Sequence, residues 1–324
     1  MLSLSPAFAQ DVSTETVLDT VNASTPVSAY GGVAVWSTFD EASKTYRLRA
    51  YRNGQVTTLP IPARRGSFDA DVGPDASGQP VVVYSRCRGE TGGLGLAFNE
   101  LPEWAFARGC DVHRFRFADG SDRVLAVASS SVRSEVTPSI WGSRLAYFAI
   151  DEPRHGRRSI GGRLYLADLR GHARTLRFTG GTRGPLSRVG SKLVDGPSPT
   201  GLDLAGTAMT FGWSNLRSCQ GEPDSGGDAQ ASEIWRQTLT SRARLARSCT
   251  AYGVFGPFIA GSDVQWVTQV KSAVRGAAVL SSLLPGADKP LPAYTRGVAL
   301  DGGNLIVARG TLTGPMQIVA IPAS

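Results

Sequence analysis

An all-β ring is the fold class that this 324-residue sequence predicts: a six-bladed β-propeller of four-stranded antiparallel blades. Three observations predict it. A strand–turn–strand unit, clearest at residues 67–85 (SFDADVGPDASGQPVVVYS), recurs in weaker copies along the chain, and self-similarity on that scale sets an architecture. The 38 glycines and 19 prolines call for many turns, and no long stretch carries a helical period. Finally, the last unit stops after three strands, whereas the chain opens with an orphan fourth strand at residues 16–21. The N-terminal strand can therefore complete the last blade, which closes the ring and removes two exposed edges.

Taken in order, each unit supplies the same elements. An outer strand carries a leucine between polar residues, at Leu18, Leu59, Leu125, Leu176, Leu245 and, most weakly, Leu291. The intervals between these markers are 41, 66, 51, 69 and 46 residues, around the blade length of four-stranded propeller repeats. Ahead of the later markers lie apolar second strands at 33–36, 81–84, 145–148, 208–211 and 264–267, with a sixth at 305–308. Third strands fall at 46–51, 112–117, 163–169, 233–239, 277–283 and 317–321. Units five and six are degenerate, which leaves a five- or seven-bladed ring, or a β-sandwich array, as alternatives.

The stretches SFDADVGPDASGQPVVVYSRC and SEVTPSIWGSRLAYFA resemble the TolB-like, WD-repeat-like six-bladed propeller repeats of exported bacterial proteins. The shared pattern is a Pro-containing inner strand, an Asp/Gly turn and an apolar strand ending in an aromatic. It runs over roughly residues 15–324, and units two and three match it well. The resemblance implies a fold and a tendency to bind other macromolecules. It carries no catalytic residues.

Units two and four exceed the base period, and they hold all four cysteines. Cys87 follows the second strand of unit two and Cys110 precedes its third; Cys219 follows the second strand of unit four and Cys249 its fourth. In an up-and-down blade these strand ends share one rim, so Cys87–Cys110 and Cys219–Cys249 are natural pairs, although four cysteines allow three connectivities. Each bridge contributes about 3 kcal/mol in the loop-entropy model. Four buried free thiols are the alternative.

The segment MLSLSPAFAQ ends in Ala7-Phe8-Ala9 before Gln10, the small-x-small pattern of an export signal. Residues 1–9 are expected to be a signal remnant and 10–324 a single propeller domain. The basic leading region is missing and the segment is short, which a truncated or mis-assigned start explains; a frayed terminus is the alternative. Together with the cysteines this predicts an exported, periplasmic or envelope-associated protein. No apolar run approaches the roughly 18–20 residues that span a bilayer, so the mature chain is expected to be soluble, and monomeric.

The net charge of +7 comes almost wholly from arginine, since lysine occurs only at Lys44, Lys192, Lys271 and Lys289. Such a charge favours anionic partners in general. The arginines are scattered, however, without a helical stripe or a nucleic-acid-binding signature, so specific nucleic-acid binding is not expected.

Reaction chemistry is sparse. His113, His155 and His172 are isolated, the cysteines lack Cys-x-x-Cys spacing, and no nucleophile elbow or phosphate-binding loop is present. Neither a metal nor a cofactor is expected. Asp69, Asp71 and Asp75 begin like a calcium loop, but no downstream glutamate follows and Asp75 and Gly78 are ordinary turn residues. Asp203, at a comparable place in unit four, is expected to join Asp69 or Asp71 in the central channel, where paired carboxylates are the equipment of a glycosidase. The aromatics Trp36, Tyr84, Tyr147, Phe148, Phe211 and Trp266 sit at equivalent strand ends and read as core between blades.

Three consecutive blades enlarge the same rim, at residues 98–108, 151–158 and 219–231. Function on a rigid scaffold concentrates in such loops. The candidate binding face is Trp104, Phe106 and Arg108 in the first excursion, with Asp151, Arg154, His155, Arg157 and Arg158 in the second. Trp104 and Phe106 serve equally well as binding anchors or as the loop's own small core. The reading is a non-catalytic exported propeller that binds a protein or an envelope glycan. The rival is a carbohydrate-active enzyme, a glycosidase or lyase, working through Asp69, Asp71 or Asp203.

Overall fold

The structure, a computed structural model, describes residues 15–22, 25–89, 108–151, 162–170, 174–176, 198–215, 231–249, 253–270, 276–284, 288–310 and 315–323. Strand β1 (Thr16–Val21) opens the chain. Blade 1 is β2 (Val27–Tyr30), β3 (Val33–Asp40), β4 (Thr45–Arg52) and β5 (Gln55–Thr58). Blade 2 is β6 (Asp71–Pro74), β7 (Pro80–Gly89), β8 (Arg108–Arg116) and β9 (Asp122–Val124). Blade 3 is β10 (Arg133–Trp141), β11 (Arg144–Asp151), β12 (Gly162–Asp168) and β13 (Arg174–Leu176). Blade 4 is β14 (Ser198–Ala205), β15 (Ala208–Asn215), β16 (Ala231–Gln237) and β17 (Arg242–Ser248). Blade 5 is β18 (Val254–Ala260), β19 (Asp263–Gln269), β20 (Ala278–Ser282) and β21 (Lys289–Leu291). Blade 6 is β22 (Thr295–Asp301), β23 (Asn304–Gly310) and β24 (Met316–Pro322), completed by β1 in the order β1-β24-β23-β22.

The predicted architecture holds: six four-stranded antiparallel sheets, with the N-terminal strand in the last blade. Alternation along each strand sends one set of side chains to the preceding blade and the other to the next. The core accordingly falls into six apolar clusters, one between each pair of neighbouring blades. Trp36, Tyr84, Tyr147, Phe148, Phe211 and Trp266 are all buried in these clusters, at 0–7% exposure, as the repeat pattern predicted. Asp75 and Gly78 form the β6–β7 turn: the Asp75 carboxylate accepts from the N–H groups of Ser77 and Gln79, and Gly78 holds φ at +81°.

Blades 2 and 3 approach closely at Gly73. A Cβ built there would lie 1.9 Å from the carbonyl oxygen of Ile140 in blade 3, so only glycine fits. Four of the inner strands carry a bulge: between Val136 and Ser139, Pro199 and Gly201, Phe255 and Phe258, and Thr295 and Gly297. Each bulge bends its strand and re-aims side chains near the ring axis. Thr137 occupies the left-handed region there, at φ +50°.

One strand boundary differs from the sequence reading. β7 runs on to Gly89 and β8 starts at Arg108, so Cys87 and Cys110 lie inside the ladder as directly opposed residues. The β7–β8 ladder continues past the apolar run as far as the Gly89–Arg108 pair. Cys87 and Cys110 form the expected disulfide. Cys249 is also disulfide-bonded; Cys219 lies outside the described residues.

Candidate functional site

The first strands of all six blades enclose a central channel with a cavity of about 340 Å³. One mouth is ringed by the hairpin turns between first and second strands, here the hairpin rim. The opposite mouth lies on the side of the second-to-third connections, here the loop rim.

Asp69, Asp71 and Asp203 all line the channel, where the sequence placed them. Asp69 is occupied by structural work. It accepts from Ser85 N–H at 2.9 Å, from Ser85 Oγ at 2.6 Å and from Thr137 N–H of blade 3 at 2.7 Å. The buried Arg64 guanidinium lies 3.5 Å away. Asp71 ties three blades: Ser28 Oγ of blade 1 donates to it at 2.7 Å, and Ser139 Oγ and Ile140 N–H of blade 3 donate at 2.8 and 3.1 Å. Asp203 accepts from Leu204 N–H at 2.9 Å and from Ile259 N–H of blade 5 at 2.6 Å.

These carboxylates therefore act as latches, each answering backbone or hydroxyl donors that neighbouring inner strands cannot pair with one another. Burial raises the proton affinity of Asp71 against the hydrogen bonds from Ser28, Ser139 and Ile140. Burial, joined by the charge of Asp71, pushes Asp203 up to about 7. The charge of Asp71 thus reaches Asp203 within the channel.

Tyr30, Thr137, Trp141 and Arg296, which the sequence reading missed, line the same space, and Glu135 is a buried acid on β10 outside that lining. Tyr30 and Trp141 lie at the hairpin rim, from blades 1 and 3, with ring centroids 5.5 Å apart in a T-shaped pair. Both line the cavity, and Trp141 remains 39% exposed. The signal lies in SEVTPSIW, where a tryptophan ends an inner strand next to the hairpin turn. Thr137 Oγ1 lines the channel without a hydrogen-bond partner, at 7% exposure. Glu135, 3% exposed, leaves its Oε2 unpartnered; burial, helped by the charge of Asp111, pushes it up to about 7. Arg296 of blade 6 also lines the channel.

On the loop rim the described residues reach the roots of the enlarged loops. Arg108 is the first residue of β8 and Asp151 the last of β11, both at this rim. Trp104, Phe106, Arg154, His155, Arg157 and Arg158 lie outside the described residues. His113 sits on blade 2, its Nδ1 3.4 Å from Asp122 Oδ1 and its ring beside Tyr84; His155 and His172 are outside the described residues. Among the described residues no three His, Cys, Asp or Glu side chains gather closely enough to hold a metal, and no helix is long and apolar enough to cross a membrane.

No protein-family model and no curated protein sequence matches the chain. Solved structures do share its fold. TolB from Acinetobacter baumannii superposes with a TM-score of 0.50 at 12% identity, over 90% of this chain and 63% of that one. An acylaminoacyl peptidase from Pyrococcus horikoshii gives 0.50 at 10% identity, over 92% of this chain and 50% of that one. An oligogalacturonate lyase from Vibrio parahaemolyticus gives 0.51 at 10% identity, over 97% and 94% of the two chains. This chain thus spans less than two thirds of the TolB and peptidase chains. At such identities the likeness is one of fold, and fold alone does not carry function. The chain is a six-bladed β-propeller of the architecture seen in TolB.

Proposed function

We propose that this protein is a non-catalytic, exported propeller that binds a protein or a cell-envelope glycan through its loop rim. The observation that carries the reading is the Cys87–Cys110 bridge at the root of the connection between β7 and β8. Besides stabilising the blade, a disulfide across this paired ladder ties together the two strand ends from which the excursion between residues 89 and 108 departs. Loops presented in this way lose less freedom on binding. A structural disulfide also fits an oxidising compartment.

The competing reading, a carbohydrate-active enzyme, has one feature in its favour: Asp203 retains a proton near neutral pH, as a general acid must. Against it, Asp69 is matched by Arg64 and three donors, and Asp71 is held by three. Neither is placed as a free nucleophile or base.

The test replaces Trp104, Arg157 and Arg158 together with alanine and measures capture of envelope protein and glycan fractions. Loss of capture with unchanged thermal stability supports the loop rim; undiminished capture removes it as the working face. Turnover of glycan substrates by the wild type, abolished by Asp203→Asn, would establish the enzymatic reading instead.

A further inference from the structure

We propose that the central channel, entered from the hairpin rim, is a binding site for a small organic cation: a primary ammonium or guanidinium group carried on a short aliphatic chain. This goes beyond the loop-rim reading and uses the opposite mouth of the ring.

The cavity, about 340 Å³, falls in the range of small-molecule sites, which pair an apolar wall with a few convergent polar groups. Its polar groups favour a cation. Among the described lining residues Arg296 is the only basic one, set against Asp69, Asp71 and Asp203. Asp69 is matched by Arg64. Asp71 and Asp203 come from blades 2 and 4, and each is hydrogen-bonded to neutral donors. The charge of Asp71 raises the proton affinity of Asp203, and a cation in the same channel would relieve that repulsion. Thr137 Oγ1 adds an unpartnered acceptor on the same wall, from blade 3. An ammonium group carries three donors in need of acceptors. Asp71, Asp203 and Thr137 supply one from each of three consecutive blades.

The mouth favours the same chemistry. Trp141 is the exposed end of β10, and Tyr30 packs against it in the T-shaped pair. Ser139, which donates to Asp71, lies two residues further in on the same strand. Two residues of extended chain span roughly 6–7 Å, about the length of a short alkyl chain. A ligand can thus lay its methylene groups against Trp141 while its charge reaches the carboxylates. Electron-rich ring faces also attract cations on the way in. A neutral ligand of the same shape gains the aromatic contact alone.

Cadaverine and agmatine are the probes, and 1,5-pentanediol is the neutral control, each titrated calorimetrically into the full chain at pH 8. Saturable 1:1 binding of either cation is expected, with the diol at least about tenfold weaker. Asp203→Asn should weaken the cations about tenfold or more and leave the diol unchanged. Trp141→Ala, an exposed position that leaves the core intact, should weaken them several-fold. The triple variant of Trp104, Arg157 and Arg158 should bind them normally, which separates this site from the loop rim. No saturable heat up to about 10 mM of either cation, or equal affinity for diol and diamine, overturns the proposal. So does full affinity in both Asp203→Asn and Trp141→Ala.

Discussion

Asp19 accepts a hydrogen bond from the Trp36 indole Nε1–H at 2.7 Å, and this contact joins the completing strand of blade 6 to the second strand of blade 1. Its other oxygen takes Arg49 Nη1 at 2.8 Å, in a partly buried ion pair. The ring is thus closed twice, once by the β1–β24 ladder and once by a side chain reaching across the seam. Asp19→Ala leaves the indole and the guanidinium without their acceptor. The expected loss is about 2–4 kcal/mol, read as a lower urea midpoint with an unchanged slope if the fold is otherwise intact.

Gly73→Ala should be among the most damaging small substitutions in the chain. The added methyl meets a backbone carbonyl, which cannot rotate away as a side-chain tip can. A loss of about 3 kcal/mol or more is expected. Gly78→Ala is the contrast: open space surrounds it, and its φ of +81° is the only obstacle, so its cost should stay near 1 kcal/mol. Equal losses at the two sites would contradict the close packing of blades 2 and 3.

Two buried acids give the pH dependence of stability a definite sign. Glu135 and Asp203 are each raised to about 7 from ordinary values of 4.5 and 3.8. The folded chain then holds more protons than the unfolded chain between about pH 4 and 7, so stability falls as pH rises through that window. Their contribution is complete below it and lost above it. Glu135→Gln should therefore stabilise the protein by on the order of 1–3 kcal/mol at pH 8 and change little at pH 4.5. Thermal melts at the two pH values check this; a larger gain at pH 4.5 would show that Glu135 is ionised and paired.

Reduction of the Cys87–Cys110 bridge should leave the ring folded, because the opposed cysteines sit within a ladder that runs from Val81 to Gly89. Cys87→Ser with Cys110→Ser is expected to cost about 3 kcal/mol. Limited proteolysis should then cut first within residues 90–107, with blade 2 still protected from hydrogen exchange.

The blades were legible because their signals are local: a period-2 apolar run such as VVVY, a turn such as Asp75–Gly78, and a marker leucine repeated in order. Ring closure was legible from the count of strands at the two ends. The channel was only half legible. Asp69, Asp71 and Asp203 fell where the repeat put them, but their partners Thr137, Ser139 and Ile259 are distant in sequence and set by ring geometry. Thr137 and Glu135 look like any strand residues until burial leaves their oxygens unpaired. Trp141 stands outside the repeat-equivalent aromatics of the second strands, and nothing local marks the last residue of an inner strand as lining a channel.

Site-specific photo-cross-linking tests the functional account most directly. A photoreactive residue is placed at Trp104 in the chain segment that joins β7 to β8, at Asn304 on the hairpin rim, or on the outer strand at Val124, in protein exported to an oxidising compartment. A discrete partner adduct is expected from position 104 alone, lost when the bridge between Cys87 and Cys110 is removed. Adducts that form from position 304 or 124 and not from 104 would contradict binding at the loop rim.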